Sequence, residues 1–200
     1  MTAGRGIVHS ERRPARLARQ SYVNHGIQLW TALPQVFEEV EPSFVHTPAA
    51  AIPALEVQGA QVRVLVGQAF GAVSPVATLS PTTYLDVSLP AGGPWSLPAL
   101  AQELAVYALD GDLAIDGQTV AARTLAVLEP ARAAQLSAPA GVRLLVLGGE
   151  SLGPRFMWWN FVSSRKDRIA QAARDWQDQR IGQVPGETEW ITLPELKLPG

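Results

Sequence analysis

The chain has 200 residues, 47% of them apolar, which is enough for a buried core and excludes a disordered polyampholyte. A net charge of −2 with 17% charged residues gives no general reason to bind nucleic acid or anionic lipid. Cysteine is absent, which excludes disulfide frameworks, thiolate nucleophiles and Cys-ligated metal clusters.

The first 46 residues carry all three histidines, His9, His25 and His46. They also carry Arg5, Arg12, Arg13, Arg16 and Arg19 against a single nearby acid, Glu11. This cluster reads as a solvated basic loop rather than a transit peptide. No apolar run resembles a secretory signal or a membrane span, so the expected location is the cytoplasm. His25 to Leu33 alternates apolar and polar positions and is expected to be a strand closed by Pro34.

Pro48 and Pro53 mark an extended linker. Short strands are then expected at Val62–Val66, Thr82–Leu89, Leu113–Ile115, Leu125–Leu128 and Val142–Leu147. Asp110-Gly111 and Asp116-Gly117 are turn signals around the third of these. Pro98 to Leu109 has helical composition, but its second half runs into a turn and is read as a strand. Ser164 followed by Asp167 resembles a helix start, and Ile169, Ala172, Ala173 and Trp176 fall at helical spacing. Gly182 is the expected stop, the Trp176 stripe the docking face, and Pro185 to Pro199 a Pro-rich tail.

No P-loop, nucleophile elbow or H-E-x-x-H motif is present, and Gly4-x-Gly6 lacks the third glycine of a dinucleotide fingerprint. His9-Ser10-Glu11 is the informative piece. On a strand, residues two apart share a face, so an imidazole and a carboxylate would converge on one point. Both suit a divalent first-row metal, although an exposed loop histidine reads the same way from spacing alone.

The opening Met1-Thr2-Ala3-Gly4-Arg5-Gly6-Ile7-Val8-His9-Ser10-Glu11-Arg12 resembles a signature of the pirin family, in the cupin superfamily. The resemblance continues through His25 to Trp30, Ser80 to Val87, Tyr107 to Asp112, Gly148 to Leu152 and Trp158 to Ser164, and so spans nearly the whole chain. It implies a mainly β fold: a cupin (double-stranded β-helix, or jelly-roll) barrel, the remnant of a preceding cupin barrel and one C-terminal α-helix. The expected divisions are 1–46 for the remnant of the first, metal-type barrel, 47–162 for a second, metal-free barrel, and 163–200 for the helix and tail.

Pirins resemble quercetin 2,3-dioxygenases in some members and act through protein contacts in others. The family's first barrel holds one ferrous iron by three His and one Glu. By this resemblance His9 and Glu11 are metal ligands, and Glu11 is also the catalytic base for a flavonol hydroxyl, acting as base, ligand or both. Two further His of the family come from an H-P-H segment that this chain does not contain, and neither His25 nor His46 matches them. The expectation is therefore dioxygenase-type activity in a full-length form and weak or no metal binding by this chain. The alternative is a non-enzymatic cupin binding module or regulatory cofactor. Expected partners are a flavonol-type small molecule or a protein, not nucleic acid or membrane, with a homodimer through exposed strand edges. Leu29, Trp30 and the Trp176 helix are expected either to pack together or to drive that dimer. Tyr84, Asp86, Glu103, Tyr107 and Glu129 read as residues lining the second barrel or as ordinary strand residues.

Overall fold

Alternation of apolar and polar side chains builds most of the secondary structure in this computed structural model, which describes residues 1–194. The last part of the Pro-rich stretch, 195–199, lies outside the described residues. The elements in chain order are β1 (Ala54–Val57), β2 (Ala60–Val66), β3 (Gln68–Ala69), β4 (Ala72–Val73) and β5 (Thr82–Leu89). Then follow β6 (Gly92–Leu97), β7 (Glu103–Ala108), β8 (Leu113–Ile115), β9 (Gln118–Val120) and β10 (Leu125–Val127). The chain continues with β11 (Ala134–Ala138), β12 (Val142–Gly149), β13 (Phe156–Trp158), β14 (Phe161–Ser163) and α1 (Lys166–Gln177). By internal contacts it forms two units, His46–Ser151 on one hand and Met1–Val45 with the chain from Leu152 onward on the other. β13 and β14 group with the N-terminal segment.

The unit His46–Ser151 is an antiparallel β-sandwich. One sheet has the order β1-β2-β5-β12-β7-β10, the other β6-β11-β8-β9. Register follows the alternation: on β5, Leu85 and Val87 point inward, opposite Val64, Val62, Val146 and Leu144 of the flanking strands. From the other sheet come Trp95, Leu97, Leu113 and Leu136, all at most 1% exposed. Each such side chain contributes roughly 1.5–3 kcal/mol of burial. The Trp95 indole N–H is satisfied by the Val57 carbonyl at 2.8 Å. Asp116 and Gly117 both take positive φ, 49° and 81°, in the two-residue turn joining β8 to β9, the hairpin geometry that this dipeptide favours.

In the other unit, Gly4 is required by a close approach. A Cβ there would stand 2.1 Å from the Val40 carbonyl oxygen, and φ is +50°. Arg5 N donates to that same carbonyl at 3.0 Å, and Thr2 forms an isolated bridge with Ser43. α1 buries Ile169, Ala172 and Ala173, as its spacing predicts, but ends at Gln177, with Asp178 as C-cap, before Gly182. Its N-cap is Arg165, without a side-chain cap. The hydroxyl of Ser164 is drawn away from that duty by Glu38.

One expectation is corrected here. His25 to Leu33 forms no strand. A strand needs a neighbour to complete its ladder, and residues 21–32 make no backbone–backbone hydrogen bond among the described residues. Trp176, expected to pack with Leu29 and Trp30 or to drive a dimer, has its ring–ring contacts among the described residues elsewhere. Its ring instead lies 5.2 Å from Trp159 and 6.1 Å from Trp190, and its indole N–H donates to the Ile191 carbonyl at 2.7 Å.

Candidate functional site

His9 and Glu11 are exposed and sit in a run between Gly6 and Arg12 that belongs to no regular strand. The pleat invoked to bring them to one point is therefore not supplied by a sheet. Their neighbours are held instead. Ser10 Oγ donates to Glu187 at 2.9 Å, and the Arg12 guanidinium grips the same carboxylate through Nε, at 2.9 Å, and Nη2. Arg12 Nη1 reaches Glu189 at 3.0 Å. Hydrogen bonds from Arg12 and then Ser10 hold the Glu187 carboxyl below its usual range. His25 and His46 are both exposed as well.

A mononuclear iron centre needs at least three protein donors about one point. Among the described residues no group of three His, Cys, Asp or Glu side chains gathers anywhere. The residues present thus do not fit an enclosed iron ion: one imidazole and one carboxylate are a fragment of a donor set.

The barrel offers no alternative site through the residues singled out above. Tyr84 and Asp86 alternate with the inward-facing Leu85 and Val87, so they lie on the outer face of the large sheet, as do Glu103 and Tyr107 on β7. Asp86 is buried there, 6% exposed, because Arg143 approaches it with Nε and Nη2, each at 2.8 Å. Arg63 Nη1 stands 3.8 Å away. Burial, and then the Asp86 charge, raise the Tyr84 phenol above its usual value. Glu129 pairs with Arg132 in solvent. Of these residues Asp86 and Glu129 are held by arginines, and the interior is filled by aliphatic side chains and Trp95.

One polar hub escaped sequence reasoning. Glu38 accepts from Ser163 Oγ at 2.9 Å, from Ser164 Oγ at 2.9 Å and from Ser164 N at 2.9 Å and 3.0 Å. Arg155 Nε lies 2.8 Å from its Oε1, a charge contact whose angle does not make a hydrogen bond. The rest of that guanidinium donates to the carbonyls of Leu33, Leu152 and Pro154. Burial opposes ionisation of Glu38, but the serine donors and Arg155 outweigh it and hold the carboxyl below its usual value. No local signal marks Glu38, since its partners lie 125 and 126 positions away.

Residues 84–182 match the family model described as the pirin C-terminal cupin domain. The chain is 42% identical over 198 residues to a pirin-like protein of Caulobacter vibrioides, an alignment covering 98% of this chain and 68% of that protein. It is 34% identical over 204 residues to a candidate quercetin 2,3-dioxygenase of Pseudomonas aeruginosa, covering 100% of this chain and 62% of the relative. A crystal structure of quercetin 2,3-dioxygenase from Acinetobacter baumannii matches with a TM-score of 0.76 and 29% identity, over 84% of this chain and 57% of that one. The chain spans 62–68% of the length of these curated relatives.

Proposed function

From a chain that belongs to the pirin family, we propose quercetin 2,3-dioxygenase-type chemistry that requires donors beyond those gathered here. In this reading the barrel His46–Ser151 is a packed, metal-free scaffold. The residues that carry chemistry, His9 and Glu11, lie in the N-terminal segment, Glu11 as ligand or as acceptor of a flavonol proton. The chain by itself retains no stoichiometric iron and is inactive, and the protein works in the cytoplasm. One observation carries this: the only imidazole–carboxylate pair in the signature is exposed, with no third ligand-type side chain gathered beside it among the described residues.

The test is to load the purified chain anaerobically with ferrous iron, desalt it and determine metal by elemental analysis. Far less than one ion per chain is expected, because affinity falls with each missing donor. One retained ion per chain, or stoichiometric consumption of oxygen and quercetin, would overturn the reading. No helix among the described residues is long and apolar enough to cross a membrane.

A second reading, an interaction module, is favoured by the segment 21–32. Tyr22, Val23, Ile27, Leu29 and Trp30 are 42–93% exposed, and the backbone they sit on has no backbone partner among the described residues. Unpaired backbone beside exposed apolar side chains can be completed as a strand on another chain's sheet. A concentration-dependent dimer lost in Leu29→Lys would support this reading, and a dilution-stable monomer would remove it.

A further inference from the structure

The run from Gly6 to Arg12 meets the C-terminal part of the chain at every second residue. A methyl on Gly6 would stand 3.1 Å from Ile181 Cγ2, and Val8 Cγ2 lies 3.6 Å from where a Cβ on Gly182 would be. Ser10 donates to Glu187, and Arg12 binds both Glu187 and Glu189. Just upstream, Arg168 Nη2 donates to the Arg5 carbonyl at 2.7 Å and its Nε binds Glu39 at 2.8 Å. The contacts at 6, 8, 10 and 12 have the period of extended chain. In such a run the odd residues, Ile7, His9 and Glu11, leave on the opposite side. No sheet imposes this alternation; the tail supplies it.

We propose that the tail 181–189 is a template that holds Gly6–Arg12 extended, with Glu187 as a positioning residue that, through Ser10 and Arg12, presents His9 and Glu11 side by side. The inference rests on the reading above that these two residues form the chemistry-bearing pair. It assigns a task to a carboxylate 175 positions away from the arginine that it grips. The hydrogen bonds of Glu187 go to Ser10 and Arg12, so it acts on His9 and Glu11 through their neighbours.

The experiment needs no metal, so its failure is separable from failure of the iron reading. The chain has no cysteine, so the double variant His9→Cys with Glu11→Cys carries the only two thiols. Phenylarsine oxide bridges two thiols, with loss of water, when they stand on the same side. Its affinity for the double variant is compared with that for the same variant carrying Glu187→Ala. Loss of the template should weaken capture about tenfold, the cost of ordering a loose segment on binding. Glu187→Gln, which keeps the shape and an acceptor oxygen, should restore part of the affinity. Equal affinity in all backgrounds would overturn the proposal. Should Glu187→Ala fail to fold, Arg12→Lys, which keeps the charge but loses the guanidinium fork, replaces it: weaker capture supports the template and unchanged capture sinks it.

Discussion

The two units of this chain are held together by different forces. The barrel His46–Ser151 buries a continuous set of Leu, Val and Ala side chains around Trp95. The unit formed by the N-terminal segment and the chain from Leu152 onward buries only Ile169, Ala172 and Ala173 among its described apolar residues. It relies instead on Glu38 with Arg155, Glu39 with Arg168, Arg12 with Glu187, and a chain of tryptophan contacts. Hydrophobic burial is non-directional and carries no charge to titrate or screen, whereas ion pairs depend on both pH and ionic strength. The barrel should thus behave as a rigid body, and the other unit as one that can be loosened selectively.

The largest effect that would sharpen this contrast comes from the barrel core. Leu85→Ala removes a side chain that is 0% exposed and should cost about 2–5 kcal/mol. A calorimetric melting transition lowered by several degrees is the expected reading; an unchanged one would mean that the core is not close-packed. Next comes Glu38→Gln, which removes a carboxylate from three hydrogen-bond donors and from the Arg155 charge and should cost about 2–3 kcal/mol. The loss should be local, seen as faster hydrogen exchange in β14 and the start of α1 with the barrel strands unchanged. Equal acceleration in both units would erase the distinction between them.

A pH scan probes the same contact with a smaller effect. The folded Glu38 carboxyl ionises below its unfolded value near 4.5, so the unfolded state binds the proton first as pH falls. Its contribution is present above that value and is lost as pH drops through the lower, folded one. Five of the six tryptophans lie in this unit, so their emission should red-shift in that window before the barrel melts. A single coincident transition would break the comparison. The smallest effect is that of salt on the exposed Arg12 pairs. Raising ionic strength to about 1 M should modestly speed tryptic cleavage after Arg12 without moving the barrel transition, because screening acts on exposed charges.

Local periodicity made much of the barrel legible. Thr82–Leu89 and Leu113–Ile115 appear with the expected bounds, and Asp116-Gly117 forms the expected turn. β6 was not legible, because the glycines and proline at 92–94 have low strand propensity; it becomes a strand by pairing with β11. His25 to Leu33 erred the other way: its residues suit a pleated surface, but no neighbouring strand completes the ladder. At the candidate site, the pattern His9-Ser10-Glu11 could be read directly, while what holds it could not.

The sequence by itself determined the antiparallel strands, the apolar face of α1 and the kinship to pirins, because each is written in patterns a few residues long or in motifs spread along the chain. Only the tertiary structure decided that Glu38 and Arg155 anchor the smaller core, that Asp86 faces outward onto Arg143, and that Glu187 grips Arg12. Those pairings join residues 57 to 175 positions apart. A charge carries no record of its distant partner, so such contacts exist only once the backbone has been folded.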